Sequence, residues 1–162
     1  MLLNLGIDLK ATITKETPMD KTDNRTTGGR FEQELATVLA NHGFWVHVMQ
    51  QNKAGQPADL IAVKGKFHTL IDCKVISDNN GFAFDRIEEN QKYAMRLFLK
   101  KANELSYFAL KLPDGKVRMV ALERCETLKG RGYKRITSRA METETWSLND
   151  WIDSATVWGD DT

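Results

Sequence analysis

Apolar residues recur at helical spacing in two stretches of the chain. In residues 29–41 they lie three or four positions apart, and this stripe is formed by Phe31, Leu35, Val38 and Leu39. Thr26 or Thr27 could cap the start of this helix, and Gly43 is placed to end it. A second helix is predicted over residues 85–104, where Asp85-x-x-Glu88 resembles a capping box.

Between and after these helices, shorter apolar runs predict strands over residues 44–49, 58–63, 67–76, 106–112 and 116–122. Lys64-Gly65-Lys66 is short enough to be a hairpin turn between the second and third runs, and Pro113-Asp114-Gly115 is a turn between the last two. The order is helix, three strands, helix, two strands. It predicts an α/β fold with a mixed central sheet flanked by helices.

Outside this core the pattern is weaker. Residues 1–27 turn polar after a short apolar start and are expected to form an N-terminal arm, residues 28–125 a single core domain, and residues 126–162 a C-terminal extension. A short helix is expected over residues 148–152, with Trp146 and Trp151 packed on the body. No apolar run approaches the roughly 20 residues that span a bilayer. The two cysteines do not have the spacing of metal ligands, which is typical of reduced intracellular thiols.

Net charge is +1 for the whole chain, but it is unevenly distributed. Residues 140–162 contain six acids and no Lys or Arg, so the first 139 residues hold 23 bases and 16 acids, a net of +7. A basic body with an acidic tail is compatible with a polyanionic partner.

The strand over residues 67–76 carries an acid and a base two positions apart. Because side chains alternate along a strand, Asp72 and Lys74 share one face, and Ile71, Cys73 and Val75 share the other. Charges flanked by Leu and Ile are costly to desolvate unless they are paired or bound to a metal. An edge-strand ion pair, or a strand with one solvated face, is the simpler explanation.

Three further polar residues are predicted near this pair. Asp59 opens the preceding strand, and a hairpin would bring it beside Asp72, where two carboxylates repel unless a hard cation binds both. Glu32 borders the apolar stripe of the first helix, although an acid there also suits the helix dipole. Glu34 lies off that stripe and is expected to be solvated. Gln91 falls on the inward face of the second helix, where it could face the same cleft or satisfy a strand end.

Taken together, these residues resemble a known enzyme superfamily. The set Glu32, Pro57-x-Asp59, Asp72-x-Lys74 and Gln91, in the order α-β-β-β-α-β, is similar to the PD-(D/E)xK nucleases. The glycine-led helix, the Asn41-His-Gly-Phe-Trp stretch and the 13-residue step from Asp59 to Asp72 are most similar to archaeal-type Holliday junction resolvases, and more distantly to RecU resolvases. Asp72 departs from the pattern, since Glu is more common there, and Ala58 separates Pro57 from Asp59.

The resemblance implies a restriction-endonuclease-like fold and a Mg²⁺-dependent, structure-selective DNA endonuclease that cuts four-way junctions, with Mn²⁺ able to substitute. Asp59 and Asp72 would bind the metal directly, Glu32 would assist through water or a second ion, and Lys74 would orient the attacking water. Gln91 matches the polar residue that follows the signature. Two symmetric incisions imply a twofold homodimer, for which the arm and the apolar residues near the Trp-bearing tail are candidate contacts.

DNA contacts are expected from the arm, the first helix and the loop before Asp59: Lys21, Arg25, Arg30, Gln51 and Lys53. A second basic run, whose position in space the sequence does not predict, surrounds Tyr133: Lys129, Arg131, Lys134, Arg135 and Arg139.

Two alternatives stay open. One is another PD-(D/E)xK endonuclease, of a restriction, repair or transposition type, that cuts duplex or flap DNA. The other is a DNA-binding module that keeps the fold without catalysis. The chain is expected to act on DNA in the cytoplasm, without a membrane, and a phage or prophage origin is left open.

Overall fold

In the computed structural model, residues 24–50 and 55–159 are described, with side chains from residue 29 to residue 157. The helices are α1 (Asn24–Asn41), α2 (Glu89–Ala102), α3 (Leu122–Gly130), α4 (Met141–Glu144) and α5 (Leu148–Gly159). The strands are β1 (Trp45–Val48), β2 (Leu60–Lys64), β3 (Phe67–Val75), β4 (Phe82–Ala83), β5 (Tyr107–Lys111), β6 (Val117–Ala121), β7 (Arg135–Ile136) and β8 (Trp146–Ser147).

Six strands form the central sheet in the order β1-β2-β3-β5-β6-β8. β3 and β5 are parallel and the other neighbours are antiparallel, so the sheet is mixed, as predicted. The parallel pair needs a crossover, which α2 supplies. A separate ladder joins β4 to β7. Among the described residues, no helix is long and apolar enough to cross a membrane.

Each face of the sheet is covered by its own apolar layer. On one face α1 and α5 pack around Trp151, which stacks on Phe44 and meets Phe67 and Tyr107 edge-on. On the other face α2 and α3 enclose Phe82, Phe108 and Cys125. The predicted stripe of α1 is confirmed, since all four of its residues are buried.

Several local predictions were wrong. α1 begins at Asn24, so Thr26 and Thr27 lie inside the helix and do not cap it. Asp85 lies in a 3-10 turn, Phe84–Arg86, and the capping box is formed one turn later by Glu88 and Gln91. The helix expected over residues 148–152 extends to Gly159.

The C-terminal part is more regular than its sequence suggested. α3 follows directly from β6, and β8 adds a strand at the edge of the sheet opposite β1. Trp151 is buried on the body as expected, but Trp146 was wrongly predicted, because 52% of it is exposed. Cys73 and Cys125 are free thiols, as expected.

Candidate active site

The hairpin of β2 and β3 places two acids side by side. Leu60 pairs with Ile71, and the amide of Asp59 donates to the carbonyl of Ile71 at 3.0 Å, so Asp59 lies beside Asp72 at the end of the hairpin opposite its turn. The Asp59 carboxylate is fixed through both oxygens. Gln56 Nε2 donates to Oδ1 at 2.9 Å, and the amide of Cys73 donates to Oδ2 at 2.7 Å.

Asp72 is the most buried acid of the site, with 1% of its surface exposed. Gln91 Nε2 donates to Asp72 Oδ1 at 2.7 Å, and the ammonium of Lys74 lies 2.9 Å from Oδ2. That ammonium forms a buried salt bridge with Oδ2, which accepts no other hydrogen bond from a described residue. Lys74 also reaches Gln91 Oε1 at 3.3 Å.

Gln91 connects the start of α2 to the site. Its Oε1 accepts the amide hydrogen of Glu88 at 3.3 Å, which completes the capping box, while its Nε2 holds Asp72. The side chain of Gln91 therefore accepts the hydrogen bond of the Glu88 amide at the start of α2 and also orients the carboxylate of Asp72. The inward position predicted for Gln91 is confirmed, since it is 8% exposed.

Glu32 approaches the acid pair from α1, on the opposite layer, and its carboxyl group hydrogen-bonds to Asp59. Burial, followed by the charge of Asp59, raises the pKa of Glu32 to about 7. Burial also raises the pKa of Asp72 to about 7, with Asp59 adding to the rise and Lys74 opposing it. The chain thus concentrates three carboxyl groups where fewer than three can be ionised at neutral pH without a counter-charge.

Crowded oxygen donors are the chemistry that hard divalent cations prefer. Yet no three acidic, His or Cys side chains among residues 29–50 and 55–157 are arranged to hold a metal ion. Both oxygens of Asp59 and one of Asp72 already accept hydrogen bonds, from Gln56, Cys73 and Gln91. The buried Oδ2 of Asp72 has the Lys74 ammonium as its partner among the described residues.

Two features were not predicted. Gln56 supports Asp59, and its spacing of three residues from that acid is the signal that could have revealed it. Glu34 was wrongly expected to be solvated. Its side chain is 14% exposed and forms an ion pair at 2.7 Å with Lys111 of β5, which also lies over the ring of Phe31.

Of the five predicted DNA contacts, the side chain of Arg30 alone is described. It is 63% exposed and pairs with Glu34 at 3.2 Å. Arg25 lies in α1, but its side chain is outside the described part, and Lys21, Gln51 and Lys53 lie outside the described residues altogether.

Comparisons with known proteins agree with this architecture. The family model of the archaeal Holliday junction resolvase (Hjc) matches residues 23–156. The structure is similar to that of Archaeoglobus fulgidus Hjc, a Holliday junction resolvase from an archaeal hyperthermophile, with a TM-score of 0.59 and 21% identity. The match covers 78% of this chain and 98% of that one. No curated protein sequence matches the chain, and the comparisons give no support for a phage or prophage origin.

The family match includes α1, the β2–β3 hairpin and α2, which carry Glu32, Asp59, Asp72, Lys74 and Gln91. It also extends through α3, α4 and most of α5, beyond the region in which the sequence alone suggested a likeness. The chain therefore belongs to the archaeal Holliday junction resolvase family and is an endodeoxyribonuclease.

Proposed function

We propose that Glu32, Asp59, Asp72, Lys74 and Gln91 form the catalytic centre with which this resolvase hydrolyses phosphodiester bonds at four-way junctions. The observation that carries the proposal is the convergence of two carboxyl groups, those of Glu32 and Asp72, on Asp59, beside a lysine that is held by Asp72 and Gln91. A fold can be stable without such a cluster, since burying these acids opposes their ionisation.

Mg²⁺ is the proposed cofactor, with Mn²⁺ able to replace it. The fit rests on the oxygen-only donor set and on Asp72 Oδ2, which is buried and has the Lys74 ammonium as its close partner among the described residues. Asp59 and Asp72 would hold the ion, with Glu32 assisting. When bound, the ion supplies an activated water and positive charge near the phosphate.

The side chains of this chain supply positioning and charge. The side chain of Lys74 is 13% exposed and its ammonium is held between Asp72 and Gln91, so it offers a fixed positive charge to a water or phosphate oxygen. Gln91 holds Asp72, and Gln56 holds Asp59, so both acids keep one orientation before DNA arrives. Arg30, with Lys21, Arg25, Gln51 and Lys53, would contact phosphates beside the cleft.

We further propose that the working enzyme is a twofold homodimer, because resolution needs two symmetric cuts and each chain has one such centre. Large apolar or aromatic side chains that remain exposed in the single chain could be covered in that assembly: Trp45, Tyr93, Leu97, Trp146 and Val157.

The central experiment incubates the wild type and Asp72→Asn with labelled four-way junction and linear duplex, in Mg²⁺ and in EDTA. We expect paired nicks in the junction with wild type and Mg²⁺ only, and intact binding without cleavage for Asp72→Asn. Asp153→Asn on the exposed side of α5 is the matched control and should cut normally. Cleavage by Asp72→Asn at the wild-type rate would refute the assignment of the centre.

Mixed dimers test the assembly on a cruciform plasmid. Wild type and Asp72→Asn combined in equal amounts should form heterodimers that nick the plasmid once, whereas wild-type dimers linearise it. The contrary result is as much linear product as the same amount of wild type gives alone, and no additional nicked circles. That result would refute the proposal of a homodimer with two active sites.

A further inference from the structure

A basic segment of residues 129–139 lies outside the centre just described. It holds five cations and no acid: Lys129, Arg131, Lys134, Arg135 and Arg139. All five are exposed, and none forms an ion pair with an acid of the described part of the chain. A surface run of this kind normally has interspersed acids that neutralise it, so this concentration of unpaired positive charge is notable.

The backbone of this segment is fixed by hydrogen bonds. The amides of Arg131, Gly132 and Tyr133 donate to carbonyls of the last turn of α3. Ile136, 1% exposed, anchors the far end in the apolar layer by pairing with Phe82. The cationic side chains are therefore presented from a rigid base, which lowers the entropy lost when they bind a ligand.

The β4–β7 ladder joins this segment to the part of the chain that leads into the active site. Ala83 pairs with Arg135, and the amide of Phe84 donates to the carbonyl of Lys134 at 3.0 Å. Gly81 permits the contact, since a Cβ there would lie 2.0 Å from the carbonyl oxygen of Ile136. From Ala83 the chain continues through the 3-10 turn directly to Gln91.

That connection limits the distance to the catalytic centre. The eight residues from Ala83 to Gln91 span at most about 29 Å even when fully extended, and the 3-10 turn and first helical turn shorten this further. One turn of duplex DNA is about 34 Å long. Arg135, which pairs with Ala83, therefore lies within about one helical turn of duplex from Gln91.

We propose that the basic segment binds the phosphate backbone of a junction arm, within one helical turn of the cut, and holds that arm in register with the catalytic centre. This rests on the proposed function, because it takes the DNA to be cut at Asp59 and Asp72. Lysine and arginine presented without acids suit a ligand with one charge about every 1.7 Å along its axis, and they carry no base readout. The contact raises affinity for any junction sequence.

The test replaces three of these cations at once, Arg131→Gln, Lys134→Gln and Arg139→Gln, and leaves Arg135 because it donates to the carbonyl of Asn80. The matched control removes three exposed cations elsewhere: Lys100→Gln, Lys101→Gln and Lys116→Gln. Junction affinity is measured in EDTA from 50 to 200 mM salt, cleavage is measured under single turnover with saturating enzyme in Mg²⁺, and unfolding temperatures verify that both variants fold.

For three lost phosphate contacts, the slope of log K against log salt falls by about 2.7. Between 50 and 200 mM salt, the dissociation constant of the wild type then rises roughly 40-fold more than that of the triple variant. We expect the control to keep both the wild-type slope and the wild-type cleavage rate. The triple variant, which no longer holds the arm in register, should cut more slowly than the wild type even at saturation.

A wild type that binds and cuts the junction, while the triple variant keeps its salt slope, would overturn the basic-segment proposal and leave the catalytic centre intact. An equal loss of slope in the control would also overturn it. A wild type that neither binds nor cuts the junction would instead refute the proposed function itself.

Discussion

Asp72 gives the clearest quantitative consequence of this site, because its carboxyl group is buried before any metal arrives. Its pKa rises from 3.8 in the unfolded chain to about 7 in the folded chain, first because of burial and then because of the charge of Asp59. The folded chain thus keeps a proton at pH values where the unfolded chain has released it. The free energy of unfolding therefore falls as pH rises from about 4 to about 7, and stays low above that.

The magnitude follows from the shift. At about 1.4 kcal/mol per pKa unit, Asp72 removes about 4 kcal/mol of stability once pH exceeds 7, of which about 3 kcal/mol is lost between pH 5 and pH 8. Asp72→Asn has no such proton to release. Its amide oxygen can still accept the hydrogen bond of Gln91, and its size is unchanged.

The assay is urea denaturation in EDTA at pH 5, 6, 7 and 8, for wild type, Asp72→Asn and the control Asp153→Asn. We expect the wild type and the control to lose stability in parallel, and Asp72→Asn to lose about 3 kcal/mol less over that range. Adding Mg²⁺ at pH 8 should restore stability to the wild type and the control more than to Asp72→Asn. Identical pH slopes for wild type and Asp72→Asn in EDTA would refute the argument that burial holds this proton.

Three further substitutions test other parts of the structure. Lys74→Met removes the held ammonium and should slow single-turnover cleavage about 100- to 1,000-fold, with junction affinity in EDTA unchanged; a normal rate would exclude Lys74 from the centre. Gln91→Ala removes a partner of the α2 capping box and the hydrogen bond to Asp72. The free energy of unfolding should therefore fall by about 1 kcal/mol, and cleavage should slow as well. Loss of stability at full activity would mean that Gln91 is only a helix cap. Gly81→Ala should cost more than about 2 kcal/mol, because φ is +81° and the new Cβ would meet a backbone oxygen, whereas Gly130→Ala, with open space around it, should be close to neutral in the same denaturation series.

The strands and the two long helices could be predicted from the sequence because their patterns are local. Alternation along β3 separates Asp72 from Ile71, and the stripe of α1 is the side that the sheet covers. α3 was missed because it starts at the residue after β6, so its first buried residue, Leu122, was counted as the end of that strand. Leu122, Cys125 and Leu128 do recur every three residues, but nine residues are too few for this spacing to outweigh the strand pattern.

The positions of the acids were predictable for a related reason, since a hairpin fixes which residues face one another. The support of the site was less accessible. Glu34 pairs with Lys111, 77 residues along the chain, and no local pattern reveals that β5 brings this lysine over α1. The capping box was predicted three residues too early, because Asp85-x-x-Glu88 has the same spacing as Glu88-x-x-Gln91. Asp85 lies in a 3-10 turn, and the box is formed by Glu88 and Gln91.

The same hydrogen bonds that build this fold also limit when its centre can act. Gln91 caps α2 and holds Asp72, while the amide of Cys73, which belongs to the strand, holds Asp59. Because these donors belong to the helix start and the hairpin, the acids cannot separate to relieve their repulsion without loosening both elements. Burial, together with this repulsion, raises the pKa of Glu32 and Asp72 to about 7, so both groups can take up a proton near neutral pH. Binding of a cation would displace those protons, so metal affinity should rise steeply with pH through neutrality, and the rigidity that lowers stability without metal is what prepares the centre to bind one.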